Sequence, residues 1–250
     1  MTRTMWLAAL GVFVIGGVSQ AQAQAINWED RGFANVNFGD QTQSHTFDST
    51  KTFSLYDETA TLKAGHKNGS GAIPDISGGV RVWRNVGLGI GYSRLQTTDD
   101  VTISASLPHP IFFDQPRSVS ADAKGLKHTE SAVHLFGLWM LPLSDKMDLA
   151  LFGGPSFYNV KQDLVTSVTI ATETAPFTSP VVTPKNETVK DTAVGVNVGV
   201  DWSYMVTRNV GGGIFIRYTG ASAKLPVGAS TVSVDVGGFQ IGGGLRVRFR

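Results

Sequence analysis

From Thr192 to Val206 the chain alternates with a strict period of two. Val194, Val196, Val198, Val200, Trp202, Tyr204 and Val206 fall on one side, and Gly195, Asn197, Gly199, Asp201 and Ser203 fall on the other. Only an extended strand sends every second side chain to one face, so the run predicts a β-strand with one bulky apolar face and one small, polar face. Thr207-Arg208-Asn209 supplies a tight turn. Val210, Gly212, Ile214, Ile216 and Tyr218 then resume the apolar face, with Phe215, Arg217 and Thr219 opposite.

The same chemistry recurs along the chain. Ile76, Gly78, Val80 and Val82 lead through Arg84-Asn85 to Val86, Leu88, Ile90 and Tyr92, and Val133, Leu135, Trp139 and Leu141 lead through the segment 142–146 to Leu149 and Leu151. These turns are short. Asp99 to Lys127 and Asp163 to Lys190, by contrast, are far longer than the ~2–5 residues of an ordinary hairpin loop. The Thr- and Val-rich second segment predicts two strands that extend past the membrane before turning. Short turns at one rim and long loops at the other predict an up-and-down antiparallel transmembrane β-barrel, with the short turns periplasmic and the long loops extracellular.

Seven spanning strands follow from Ile76 onward, so an even total requires one or three more from the N-terminal part. Ala34, Val36 and Phe38 mark one rising strand. With Thr52 to Ala64 lying outside the membrane the barrel has eight strands. A spanning hairpin at Asp57-Glu58, with Phe53 opposite Leu62, gives ten. Its arms of five or six residues fall short of the ~9–11 that a tilted span needs, which favours eight. In the last strand Val232, Val234 and Val236 are even while Phe239, Ile241, Leu245, Val247 and Phe249 are odd, and a β-bulge at Gly237-Gly238 restores one face.

Alternation alone does not say which face is inside. The polar face is crowded with Gly79, Gly87, Gly89, Gly91, Gly195 and Gly199, which suits a narrow lumen where walls approach closely. Arg81, Glu130, His134, Asp201, Arg217, Gln240, Arg246 and Arg248 share that face. A basic residue turned to lipid costs about 2–4 kcal/mol at the midplane, so these charges belong inside or at a rim. They are the candidate lumen residues, as internal ion pairs or as a pore lining. Trp139, Trp202 and Tyr204 lie outward near short turns, as a periplasmic aromatic girdle would.

The first 25 residues read as a cleaved signal peptide, with Arg3, an apolar run from Met5 to Val18, and the small-residue ending Ala21-Gln22-Ala23-Gln24-Ala25. Residues 26–250 then form one barrel domain. Without Arg3 the mature chain has 20 basic and 20 acidic residues, which argues against nucleic-acid binding. There is no cysteine, so neither a disulfide framework nor a lipidated cysteine is available.

Gly78-Gly79-Val80-Arg81-Val82-Trp83-Arg84-Asn85, Gly153-Gly154-Pro155-Ser156-Phe157 and Gly242-Gly243-Gly244-Leu245-Arg246-Val247-Arg248-Phe249 resemble segments of small bacterial outer-membrane β-barrel proteins, the porin-family proteins of the OmpA-barrel and OmpW type. The resemblance implies location in a Gram-negative outer membrane. It also implies contact with membrane lipid and lipopolysaccharide, a monomer, and recognition by the barrel-assembly machinery through a terminal aromatic residue. Phe249 is that aromatic, although it is penultimate here and Arg250 follows.

For function, a structural or surface-interaction role with at most limited passage of small solutes is the expectation, because eight strands enclose little more than their own side chains. A small-solute porin is one alternative. A lipid A-modifying enzyme or protease is the other, with His128, Glu130 and Ser131 as its trio. His128 and Glu130 alternate onto one face and Ser131 onto the other, so the three do not converge, and no catalytic residue, cofactor or metal site is assigned. His109 stands without a second ligand at fixed spacing. The apolar loop from Leu107 to Arg117 is open to three readings: a plug in the barrel mouth, a contact for lipopolysaccharide or a partner, or a loop packed on its neighbours.

Overall fold

The computed structural model describes residues 28–227 and 230–250, and the segment read as a signal peptide lies outside them. The described residues form ten antiparallel strands and no helix: β1 (Gly32–Gln41), β2 (His45–Leu55), β3 (Glu58–Asn68), β4 (Gly71–Trp83), β5 (Val86–Leu107), β6 (Arg117–Ser144), β7 (Met147–Thr172), β8 (Val181–Met205), β9 (Val210–Val227) and β10 (Ser230–Phe249). Eight of them close a ring, β1-β4-β5-β6-β7-β8-β9-β10, with β10 returning to β1. Closure leaves no sheet edge within the ring.

β2 and β3 stand outside that ring. They form a hairpin whose two-residue turn, Tyr56-Asp57, has positive φ at both positions (52° and 61°), as a type I′ turn demands. The turn comes one residue earlier than the Asp57-Glu58 turn expected from the sequence, so Phe53 faces Ala60 and not Leu62, and the arms are 11 residues long. Thr61 to Ala64 of β3 pair with the far end of β5, from Ser106 back to Ile103. The barrel therefore keeps eight spanning strands and carries an extra hairpin at its outer end.

The two long connections are mostly strand. β5 runs to Leu107 and β6 starts at Arg117, while β7 runs to Thr172 and β8 starts at Val181. The segment 99–127, read from the sequence as loop, is thus a long hairpin, and 163–190 extends as its β-branched content predicts. At 22 to 28 residues these strands are at least twice the ~9–11 residues a membrane requires. Their outer halves form a crown beyond it.

The crossing from membrane to crown is written in the side chains. On β5, Val86, Leu88, Ile90 and Tyr92 face outward and are exposed, while Gly87, Gly89, Gly91 and Ser93 face the lumen. Beyond Tyr92 the same outward positions hold Arg94, Gln96 and Thr98, and the inward ones hold Leu95, Val101, Ile103, Ala105 and Leu107, all buried. The strand keeps its phase. What changes is the surroundings, lipid outside at one level and water outside at the next, so the apolar side chains move to the other face.

The same inversion corrects the reading of β10. Its pairing with β9 runs from Ser230 to Val247 without a slip in register, and even-numbered residues point inward throughout. Val232, Val234 and Val236 are apolar and inward because they lie in the crown. Phe239, Ile241 and Leu245 are apolar and outward because they lie in the membrane. No bulge is needed, although Gly237 and Gly238 take φ of 87° and 141° at the crossing, values that favour glycine.

Around the ring the outward residues form a continuous apolar belt, with Val194 as much as 69% exposed. An apolar surface that encircles a barrel is stable only against lipid. Phe38, Tyr92, Phe157, Tyr218 and Phe239 mark its outer level, and Trp83, Trp139, Trp202, Tyr204 and Phe249 its inner one, near the short turns. The interior is layered. A cluster of Trp28, Phe33, Leu138, Met140 and Ala150 fills the short-turn end, and two clusters fill the crown, one around Ile103 and Leu107 and one around Leu164 and Leu225.

Candidate functional site

Between these apolar layers lies a belt of buried polar groups, the one part of the barrel with chemistry in it. Its room comes from glycine. An ideal Cβ on Gly89 would lie 2.3 Å from the Phe136 ring, and one on Gly199 would lie 2.5 Å from the Phe152 ring. Those two rings, 5.4 Å apart, floor the polar belt on its short-turn side.

Above the floor, charges are joined across the lumen. Arg246 of β10 makes a two-point contact with Asp201 of β8, Nε to Oδ1 at 3.0 Å and Nη2 to Oδ2 at 2.6 Å. Its Nη1 donates to Asn37 Oδ1 of β1, and Asn37 Nδ2 donates to Asp75 Oδ1 of β4 at 2.8 Å. Asp75 Oδ2 lies 3.0 Å from Arg217 Nη1 of β9, and Arg217 Nε donates to Gln240 Oε1 at 2.8 Å. Gln240 Nε2 donates in turn to Gln41 Oε1 at 3.0 Å. Five strands are laced together by one chain of charge-assisted bonds, which is what buried charges require in a low dielectric.

Two histidine clusters flank this chain. His134 is fully buried, with Nε2 at 2.9 Å from Ser93 Oγ and Nδ1 at 2.7 Å from Ser156 Oγ, and Asn197 Nδ2 also donates to Ser156 Oγ. Nearer the crown, His128 joins Glu130 (Nε2 to Oε1, 2.8 Å) and Gln162 (Nδ1 to Oε1, 2.5 Å), and Glu130 Oε2 accepts from the Gly237 N–H at 3.0 Å. Ser131 stands on the opposite face of β6, as its spacing predicts, away from this pair.

Each charge expected in the lumen is on the inward side. Arg81 lies at the short-turn rim, where it donates to the Trp28 carbonyl. Arg248 donates to Ser203 Oγ at 3.0 Å, with Asp148 at 4.0 Å. Phe249 faces outward on the last strand, paired with Gly32. The acid that Arg217 needs, Asp75, and the bridging Asn37 were not singled out from sequence. Both lie two-residue steps from inward neighbours, Ser77 and Gly79 on β4 and Asn35 on β1, and that phase was the available signal. The space left among these groups is about 40 Å³ and is lined by Asn37, Asp75, Asp201, Arg217, Phe136 and Phe152 among others. It holds no more than a few water molecules.

A second constellation lies at the tips of the crown. Arg117, at the base of the β5–β6 tip, bonds Glu173 of the β7–β8 tip and also donates to the carbonyls of Phe177 (2.6 Å) and Pro108 (2.7 Å). Tyr56, in the β2–β3 turn, donates to Glu173 Oε2 at 2.6 Å, and Glu58 Oε1 accepts from the Asp114 N–H at 2.9 Å. Burial pushes the Glu173 carboxyl up, but the bonds from Tyr56 and Arg117 outweigh it and leave the group below its ordinary value. The same bond to Glu173 raises the Tyr56 phenol.

The loop from Leu107 to Arg117 does not descend as a plug. His109 Nδ1 accepts from the N–H groups of Ile111 and Phe112, both at 3.2 Å, and Ile111, Phe112 and Phe113 are presented outward at the tip.

An even ring of strands, an apolar belt edged by aromatics at both levels, a polar packed interior, and tight turns at one end with long excursions at the other settle the class of fold. The chain is an outer-membrane β-barrel. Among solved structures, the barrel is similar to Neisserial surface protein A, at 16% identity over 87% of this chain and 97% of that one, with a TM-score of 0.40. It is similar to the outer membrane protein OprG from Pseudomonas aeruginosa, at 10% identity over 88% and 97%, TM-score 0.45. It is also similar to the outer membrane protease OmpT from Escherichia coli, at 10% identity over 92% and 100%, TM-score 0.45. No family model and no curated protein matches the sequence. Likenesses this distant assign no activity to the barrel.

Proposed function

We propose that the protein is a closed outer-membrane barrel that works through its crown, as a surface-interaction protein, and passes few or no solutes through its lumen. The observation that carries this reading is the stacking of the interior: an apolar layer at the short-turn end, a cross-linked polar belt with about 40 Å³ of free space, and apolar clusters in the crown above it. An ion entering such a lumen meets two apolar layers and finds the charged side chains between them already paired, Arg246 with Asp201 and Arg217 with Asp75.

The crown, in contrast, offers a surface built in advance. Three hairpin tips are tied at Glu173, and the tie holds three consecutive large apolar residues, Ile111, Phe112 and Phe113, in the open. Preorganised apolar residues at the far end of a long strand pair suit contact with a macromolecule outside the cell.

Planar-bilayer recording of the refolded protein tests the closed lumen. The expected result is a bilayer without single-channel steps at protein levels that give full insertion. Reproducible steps of uniform size would replace this reading with that of a small-solute porin.

A further inference from the structure

The lipid-facing belt is not evenly covered. On β6 and β7 the outward positions in its middle are Gly137 and Gly153, and the two are cross-strand partners. Elsewhere on these strands the outward positions hold Val133, Leu135, Trp139, Leu151 and Phe157. Two missing side chains side by side leave a notch in the wall.

Register shows how far the notch runs. One row of outward residues passes across the strands as Leu88, Gly137, Gly153, Val198, Tyr218 and Phe239, and the row beneath it as Val86, Trp139, Leu151, Val200, Ile216 and Ile241. Between them lies an open groove of about 730 Å³ lined by apolar side chains and glycine backbone. That is within the range of ~300–1,000 Å³ typical of small-molecule sites. The rows climb as they cross. The groove starts beside Val86, next to a short turn, and ends at the paired rings of Tyr218 and Phe239, 5.1 Å apart at the outer level of the belt.

We propose that this groove is a binding site for one acyl chain of an outer-leaflet lipid, which enters under Tyr218 and Phe239 and lies over Gly137 and Gly153. The occupant follows from where the groove is. It is bounded on every side by the lipid-facing belt, so the material that fills it is hydrocarbon. Its width, the gap between two adjacent rows of side chains, suits a single extended chain. A second copy of the barrel would need about 800 Å² of matched surface per partner, and the groove is too narrow to supply it. Lipid tails are as apolar as the groove, so selection of one bound chain over bulk lipid comes from close packing against Trp139, Leu151 and Val198 and not from any hydrophobic driving force.

Native mass spectrometry of the barrel refolded in dioleoylphosphatidylcholine, released from a mild detergent, reads the site directly. The wild-type barrel is expected to carry a one-lipid adduct. Gly137→Leu fills the notch, and nothing lies within 4 Å of a Cβ at that position, so the variant keeps its fold while the adduct falls several-fold. Gly212→Leu, another outward position with room for a Cβ, retains the adduct. The proposal is overturned if wild type flies bare, if Gly137→Leu retains the adduct at the wild-type level, or if wild type appears as a dimer that Gly137→Leu abolishes.

Discussion

The chain of polar side chains across the lumen makes single substitutions costly in a way their chemistry alone does not. Asp201 is held by two bonds from Arg246, which is itself fully buried. Asp201→Ala strands a guanidinium in a sealed interior and is expected to destabilise the barrel by about 3–5 kcal/mol. Urea unfolding in lipid vesicles, followed by heat-modifiable gel migration, measures it. Replacing both partners, as Asp201→Leu with Arg246→Met, is expected to recover most of the loss, because the penalty comes from the unpaired charge. Sequence placed both residues on the inward face, since that needs only strand phase. It did not pair them, because 45 residues and one intervening strand separate them, and partner choice depends on the register of β8, β9 and β10 against one another.

At the scale of elements, β2 and β3 are the part that sequence described least well. Their arms alternate like spanning strands but carry Thr, Ser, Lys and Asp outward, and only closure of the other eight strands shows that no place in the ring remains. The hairpin has its own titrating group. His66 is buried on β3, stacked on Phe47 at 4.8 Å and bonded to Ser49 Oγ at 3.0 Å, and burial lowers its pKa to about 4, against a smaller opposing pull from Asp48. An unfolded histidine takes its proton near pH 6.5, so between pH 6.5 and about 4 the opened hairpin binds more protons than the closed one. The hairpin is therefore expected to keep its full stability above pH 6.5 and to lose it progressively as pH falls toward 4. Hydrogen exchange at pH 7 and pH 4.5, corrected for intrinsic rates, should show β2 and β3 losing protection while β8 to β10 in the membrane do not. Equal protection at both values would mean that His66 protonation is not coupled to opening. The crown tips carry a second dependence of the same sign. Glu173 sits below its ordinary value, so the tie among the three tips is complete at neutral pH and is lost as the carboxyl takes up a proton in acid.

For the molecule as a whole, the ring of eight was legible from strand count and arm length, and its inward face and crowded interior from composition by face. The crown was legible only in part. β5, β9 and β10 keep the phase of the barrel while reversing which face is apolar, and in a one-dimensional pattern that reversal looks like a slip. Read that way, β10 suggested a bulge, and the upper half of β5 and the lower-numbered part of β6 passed for loop. The reversal at Tyr92 and Arg94 also sets a dimension. From Tyr92 to Leu107 the strand advances 15 residues, about 50 Å of chain at ~3.3 Å each, which carries Ile111 to Phe113 well clear of the lipid headgroups.

Along β5 the membrane wall and crown thus share one reading frame, while β6 steps by one residue at Gly125, and insertions between the two levels are governed by parity. One alanine added after Arg94 and one before Ser131 would leave the wall intact while turning Leu95, Ile103 and Leu107 to water and Arg94's polar neighbours inward. Limited proteolysis is expected to strip the crown from that variant and leave a protected core of eight short strands. Two alanines at each place restore the frame and should leave the crown resistant. A lineage that lengthens this crown can therefore do so in steps of two residues per strand, or with a bulge of the kind at Gly125 that absorbs an odd one.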